Sequence, residues 1–444
     1  MTRIAVLSDL HISPPGPLAS FHAGDELAGL LGRLRSDHGV DTLVLAGDVF
    51  DFLALPTATA TMHPEQVPAF VSQTLTDLHA IAWGKQIFDA LGALVVAGTQ
   101  IVVIPGNHDP ELAHPDVPAI LRGRCGLAVD DRRLDVYLGS GPWRTAAGAL
   151  DVVIGHGHRG DPWNDIDPAM VLHHATTNPP LPLQLPIGSR LVVGAMRAFR
   201  HKYAFVDALK PEMPGVPLLL AYLDPTLAMK HLPGVATLGA RAWVGGLQRR
   251  LQPGLTLPAG PPAARSAPQP PSDIDLLAAA LFDALAVTER TPGTIAAVEG
   301  WLAGHGASAA GTLASHGGGR RYLLRAALRL LGRNGTAFDQ TRVDEADEAI
   351  IAEHLPSECG ARVVIAGHTH AARQIRLDTD RTYINTGTWS DLIPWPPLGA
   401  DDDAKRFIDD LEANNIPVLR LLTWALIDEH GAQLLDETGG RGSP

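Results

Sequence analysis

Five stretches of this chain set side chains able to bind metal directly after an apolar run. Asp9 and His11 follow Ile4-Ala5-Val6-Leu7, and Asp48 and Asp51 follow Leu43-Val44-Leu45-Ala46. Asn107-His108-Asp109 follows Ile101-Val102-Val103-Ile104 and the Pro105-Gly106 turn. His156 and His158 come after Val152-Val153-Ile154, and His368 and His370 after Val363-Val364-Ile365-Ala366. One such tripeptide alone reads as a polar turn that satisfies its own backbone. The same pattern repeated along the chain reads as one shared site. Carboxylate, amide and imidazole donors without thiolate suit Mn, Fe or Zn rather than Ca or a structural zinc. The strand ends collect Asp9, His11, Asp48, Asn107, His108, His156, His368 and His370, and seven of these are candidate ligands. They are too many for one tetrahedral ion and enough for two ions sharing a carboxylate.

Such a site requires elements that bring distant residues together. A run of β-branched residues such as Ile101 to Ile104 suits a strand buried on both faces, and Pro105 with Gly106 ends it sharply. Between the first two strands, Leu27, Leu30, Leu31 and Leu34 recur at helical spacing, so the order strand, helix, strand predicts a βαβ unit. Residues 65–98 read mostly as helix, with Ile87, Leu91 and Leu94 on one face, and make a second crossover. In an open sheet of parallel strands, ligands gather outside the carboxyl ends, where all five motifs lie. A short helix near Val117 to Leu121 and a strand alternating Leu134, Val136 and Leu138 precede the fourth motif.

The pattern changes between Asp165 and Gly360. Helical signals dominate: a helix is expected over Ser189 to Leu209, then an apolar stretch at residues 217–222. A Pro-rich linker at 253–272 is expected to be extended, with further helices at 275–289, 321–331 and 344–354. The domain division expected is a core of residues 1–164 and 361–437, a mostly helical insertion or cap at 165–360, and a disordered tail at 438–444. The second core part is expected to hold strands at 373–377 and 382–385, a helix at 401–414 and a hairpin turning at Glu429-His430-Gly431.

Composition narrows the function. A formal charge of -13 argues against extended nucleic acid as a partner, because phosphate contacts need a dense basic surface. Cys125 and Cys359 are too few for a disulfide framework or a thiolate site, which fits a reducing compartment. The first strand begins at Ile4, leaving no export signal in view, and no apolar run approaches the roughly 20 residues of a membrane span. The expectation is a cytoplasmic protein.

The motifs Asp9-Leu10-His11, Gly47-Asp48-Val49-Phe50-Asp51, Gly106-Asn107-His108-Asp109, Gly155-His156 and Gly367-His368-Thr369-His370 occur in that order. In this the chain resembles the calcineurin-like metallophosphoesterase superfamily, over about residues 1–164 and 362–389. The resemblance implies an α+β fold, a four-layer αββα sandwich carrying the helical insertion. It implies Asp9, His11 and His370 on one metal, Asn107, His156 and His368 on the other, and Asp48 bridging. The two ions, about 3.5–4 Å apart, would carry a bridging hydroxide that attacks phosphorus in line. They are expected to be divalent or trivalent, Mn, Fe or Zn, with Mn the choice in vitro.

His108 is then expected to face substrate and protonate the leaving oxygen, with Asp51 or Asp109 orienting it. Gly155-His156-Gly157-His158 offers two imidazoles where one ligand is needed, and His156 is favoured as the nearer to the strand end. Asp161, Trp163 and Asn164 stand nearby as groups that support a ligand or meet substrate. The turn Asn385-Thr386-Gly387-Thr388-Trp389 reads either as a segment that accompanies G-H-x-H in the superfamily or as a strand-closing turn with Trp389 in the core.

The function implied is hydrolysis of a phosphomonoester, phosphodiester or pyrophosphate, with a small-molecule or lipid-like phosphoester as substrate and peripheral membrane contact compatible with it. Two alternatives stand beside it: a hydrolase of an amphipathic substrate similar to the UDP-diacylglucosamine pyrophosphatases, and a catalytically silent metal-binding scaffold.

Overall fold

The computed structural model describes residues 2–139, 141–161, 163–210, 342–343, 345–355, 360–394, 401–413 and 415–438. The expected apolar stretch at 217–222, the linker at 253–272, the helices at 275–289 and 321–331 and the tail at 439–444 lie outside them. The chain divides into two compact units. One comprises Met1–Val193, Thr336–Leu392 and Val418–Pro444, and the other Gly194–Gly335 with Ile393–Pro417.

The first unit has mixed α/β content and is built on two large sheets. Strands β1 (Ile4–Leu7), β2 (Thr42–Ala46), β3 (Gln100–Ile104) and β4 (Leu134–Val136) run parallel in the first. The second contains β5 (Trp143–Ala147), β6 (Leu150–Ile154), β7 (Val363–Ala366), β8 (Arg373–Arg376) and β9 (Thr382–Asn385). Here β6, β7 and β9 are parallel, while β5 and β8 pair antiparallel at the edges. The hairpin β10 (Thr423–Asp428) and β11 (Gly431–Asp436) completes the first sheet, in the order β11-β10-β1-β2-β3-β4, with β10 antiparallel to β1.

Although β1, β2 and β3 are apolar on both faces, their alternate residues enter different cores. Ile4, Val6, Val44, Ala46, Val102 and Ile104 pack with Val152, Ile154, Val363 and Ile365 of the second sheet. Ala5, Leu7, Leu43, Leu45, Ile101 and Val103 join instead the core of the flanking helices. Continuous β-branched runs serve a strand covered on both sides, so the expectation of buried strands and its physical reason agree.

Helix α1 (Gly24–Leu34) joins β1 to β2 and buries the predicted Leu27, Leu30, Leu31 and Leu34. Each such burial is worth about 1.5–3 kcal/mol of transfer free energy. The helical stretch before β3 divides at Ala80-Ile81 into α2 (Val67–His79) and α3 (Ala82–Val96). Helices α4 (Val117–Arg124) and α5 (Pro168–Thr176) follow β3 and β6, α5 with Asp167 capping Ala169 N. Helix α6 (Glu345–His354) covers the outer face of the second sheet, where its Ile350 packs on Val364, Ala366 and Tyr383.

Two local expectations need correction. The helix expected over 189–209 is a helical run from Ile187 to Arg200 whose middle turn, Val192–Met196, is π rather than α, followed by a separate 3-10 turn at Ala204–Asp207. Val192 and Val193 are β-branched and Gly194 is flexible, so this sequence supports regular helix poorly. Strand β5 was missed because Trp143-Arg144-Thr145 is an edge segment with exposed alternate residues and only a weak apolar period. In the second unit, Leu209–Lys210 pairs parallel with Ile393–Pro394, and α7 (Asp401–Glu412) follows.

Candidate metal centre

All five motif turns leave the carboxyl ends of parallel strands: β1, β2 and β3 in the first sheet, β6 and β7 in the second. Backbone bonds lock the turns to one another. Asp9 N donates to Gly47 O at 3.0 Å, His11 N to Asp48 O at 2.9 Å and Gly367 N to His156 O at 2.9 Å. Among the described residues, the non-glycine residues with positive φ are Asp9 (49°), His11 (52°), Asp48 (50°), His368 (68°) and His370 (60°). Each is a predicted ligand. A left-handed conformation costs a non-glycine residue about 1–2 kcal/mol. Such outliers gather where geometry serves function.

The turns bring the donor atoms together. His11 Nε2 lies 3.2 Å from His370 Nε2, and His370 Nε2 lies 3.2 Å from Asp9 Oδ1. On the other side of Asp48, His156 Nε2 is 3.2 Å from Asp48 Oδ2 and 3.2 Å from Asn107 Oδ1. Asp48 Oδ2 is also 3.9 Å from His11 Nε2, so this carboxylate stands between the two groups. Asp9, His11 and His370 form one set with all donor atoms within 4.8 Å, and Asp9, Asp48 and His156 form another. His368 joins none of these sets; its Nε2 lies 3.0 Å from Asp161 Oδ2.

The two candidate imidazoles of the fourth motif separate cleanly. His156 Nδ1 meets the carbonyl of Ala46 at 3.1 Å, which turns Nε2 toward Asp48 and Asn107. His158 Nε2 instead bonds the carbonyl of Ile166 at 2.9 Å, and its buried Nδ1 has no hydrogen-bond partner among the described residues.

Of the two carboxylates expected to orient His108, only Asp51 reaches it, with Oδ1 3.0 Å from His108 Nδ1. Asp51 Oδ1 also accepts Ala54 N at 3.1 Å, which holds it in place. Asp51, His108 and His11 form a third set of close donor atoms. The His108 side chain is 21% exposed while Asp51 is buried. The Asp109 carboxylate points elsewhere: it accepts Gly106 N at 2.6 Å, Val49 N at 2.7 Å and Phe50 N at 3.1 Å, tying the second and third motif turns together.

Electrostatics follow from burial and from these neighbours. Burial would raise the Asp9 carboxyl, but His156 and His370 hold it down at about 2. Asp48 lies well below the usual carboxylate range, since His156 and His108 outweigh its burial. Burial and the nearby His108 push His11 down to about 3, whereas Asp48 and Asp9 overcome burial and raise His156 to about 9. Among the described residues, no lysine or arginine pairs with Asp9 or Asp48. Two buried carboxylates therefore face imidazole nitrogens, two of which approach within 3.2 Å of each other. Oxygen and imidazole donors converging with no lysine or arginine among the described residues beside them fit divalent cations. Asp9, His11, Asp48 and His370 would hold one ion, and Asp48, Asn107 and His156 a second.

Supporting groups act on the motif turns from across the fold, most of them from the Asn385–Trp389 turn. Thr388 Oγ1 donates to Asp9 O at 2.8 Å, and Ser8 Oγ to Asp9 Oδ2 at 2.5 Å. Asn385 Nδ2 donates to Gly367 O at 2.8 Å and to Thr369 Oγ1 at 2.9 Å, holding the fifth motif. Trp389 is fully buried with its Nε1 donating to Thr423 O, so the Asn385–Trp389 turn both fills core and backs Asp9. Their sequence signal was only proximity to G-H-x-H.

No curated protein matches the chain at a significant level. The family model described as calcineurin-like phosphoesterase matches residues 2–197, a span that includes the first four motifs and ends before Gly367. Over residues 2–197, which carry the first four motif turns, the chain is thus similar to the calcineurin-like phosphoesterases.

Proposed function

We propose that the protein is a dinuclear-metal-dependent phosphoesterase that hydrolyses a phosphomonoester, phosphodiester or pyrophosphate with water. The observation that carries this reading is the coincidence of backbone strain with donor chemistry at Asp9, His11, Asp48, His368 and His370. We assign Asp9, His11 and His370 to one ion, Asn107, His156 and His368 to the other, and Asp48 to both. When bound, the ions would acidify water and neutralise charge on the phosphoryl oxygens, with Mn the ion to use in reconstitution.

The chain's own residues do the rest. Asp51 receives His108 Nδ1–H and so keeps the partly exposed His108 ring in one orientation. From there the imidazole steadies a phosphoryl oxygen and gives a proton to the leaving oxygen. Asp109 serves by fixing the turns that carry Asp48 and Asn107.

The packing of helices on the outer faces of two sheets that share a core supports reading residues 1–164 and 361–437 as a four-layer αββα sandwich. Residues 165–360 then form the insertion that selects the substrate. No described helix is long and apolar enough to cross a membrane, and we place the protein in the cytoplasm.

The test is hydrolysis of p-nitrophenyl phosphate, its bis ester and single-stranded DNA by Mn-reconstituted protein. Mn-dependent turnover of either aryl ester is expected. His108→Asn should keep its metal and lose at least about tenfold more activity on a poor leaving group than on the activated aryl ester. Absence of turnover on all substrates would favour the metal-binding scaffold.

A further inference from the structure

The loop after the fourth motif carries polar groups that neither the ligand assignment nor the His108–Asp51 pair uses. Asp161 Oδ2 lies 3.0 Å from His368 Nε2 and accepts Asn164 Nδ2 at 2.7 Å. Its other oxygen accepts Trp163 N at 2.9 Å. Asn164 Oδ1 in turn accepts Asn107 Nδ2 at 3.4 Å. A continuous line of hydrogen bonds, His368–Asp161–Asn164–Asn107, thus joins the ends of β7 and β3.

Donor and acceptor chemistry gives this line a direction. An ionised carboxylate only accepts, so a neutral His368 would carry its proton on Nε2 and keep the Nδ1 lone pair for a cation. An amide nitrogen only donates, so the Asn164 contact turns Asn107 Nδ2 away and leaves Oδ1 beside His156 Nε2. The loop is braced from both sides. Asn164 N and Asp165 N donate to Asp161 O, Gly188 N donates to Trp163 O at 2.7 Å, and Ser189 Oγ donates to Asn107 O at 3.2 Å. A side chain at Gly188 would collide with Asn164 Oδ1, so the backbone presses directly on the amide that orients Asn107.

We propose that Asp161 and Asn164 form a bracket that sets the His368 tautomer and the Asn107 amide for one cation held by Asp48, Asn107, His156 and His368. They are positioning residues, and the inference rests on the two-ion reading above. Removing such a supporting partner typically weakens metal affinity 10–100-fold, here for one ion of the two.

Two measurements on the full chain test this. In Mn²⁺ titrations followed by calorimetry and elemental analysis, wild type should bind two ions. Asp161→Ala should weaken one of them about 10–100-fold and leave the other unchanged. Asp161→Asn keeps an acceptor oxygen and should show a smaller loss; it also serves if the alanine variant does not fold. In the metal-free protein, ¹⁵N spectra should report protonation of His368 at Nε2, a bias that Asp161→Ala removes. Wild-type affinities for both ions together with an unchanged His368 spectrum in Asp161→Ala would overturn the bracket. Should wild type bind fewer than two ions, the two-ion reading fails, while the metal-free spectrum still decides the bracket.

Discussion

At the scale of single residues, burial determines which polar groups act and which merely wait. Asp51 and Asp109 are both buried carboxylates beside His108, yet one meets the imidazole and the other meets three amides. Glu111 is a third case. Its Oε2 is buried with no hydrogen-bond partner among the described residues, and burial, with the neighbouring Asp109 carboxylate, pushes it up to about 8. The native chain therefore binds a proton at Glu111 that the unfolded chain, with its carboxyl near 4.5, has released. By linkage, Glu111 contributes a loss of stability as pH rises through that window, with no further loss above it. Glu111→Gln should remove this dependence. Between about pH 5 and about pH 8.5 the variant should gain on wild type by a few kcal/mol in denaturant unfolding. Equal pH slopes for the two proteins would contradict the assignment.

At the scale of elements, the site is a set of turns rather than of strands or helices. Strands β1, β2, β3, β6 and β7 bring the motifs to common edges, and tight turns then aim each side chain. Glycine is needed where those turns press together. A side chain at Gly367 would meet Asp9 Oδ2 and Ser8 Oγ, the two atoms already in mutual contact behind the site. Gly367→Ala should accordingly displace Asp9 from His370, cost about 1–3 kcal/mol and weaken metal binding. Thermal unfolding and Mn²⁺ titration of the variant would check it, and unaltered metal affinity would show that the turn can yield. Helix α6 braces the neighbouring strands β8 and β9. Its Asp347 pairs with Arg373 at 2.6 Å and accepts Tyr383 OH at 2.8 Å, and all three side chains are fully buried. This is a costly arrangement to break, since losing one partner strands a buried charge.

At the scale of the whole molecule, the first unit concentrates uncompensated polarity at one place. Among the described residues Asp9 and Asp48 are buried with imidazoles but no lysine or arginine beside them, and His11 faces His370. A cation binding only the native chain would stabilise it by about 2.7 kcal/mol at a hundredfold excess over Kd. Mn²⁺ should therefore raise the melting temperature by several degrees over protein stripped with a chelator, in calorimetric scans. Identical scans with and without Mn²⁺ would remove the basis for reading these groups as ligands.

What the sequence determined by itself was local and repetitive. Buried strands were legible because β-branched runs ended in Gly or Pro, α1 was legible from its leucine period, and the motif ends followed from both. The Asp9, Asp48, Asn107, His156 and His368 stretches could be named together because each repeats one strand-then-polar pattern. The weak period of β5 and the π turn in the helical run at Val192 were illegible, since edge exposure and β-branching blur the signals on which such readings depend. Only the tertiary structure decided which of two neighbouring groups faced the site: His156 rather than His158, and Asp51 rather than Asp109 at His108. Such choices depend on side-chain direction and on partners brought near by the fold, as when Asp161 meets His368, 207 positions apart in sequence. Residue types and their order announce a metal centre; the direction each side chain takes is set by contacts that no local pattern contains.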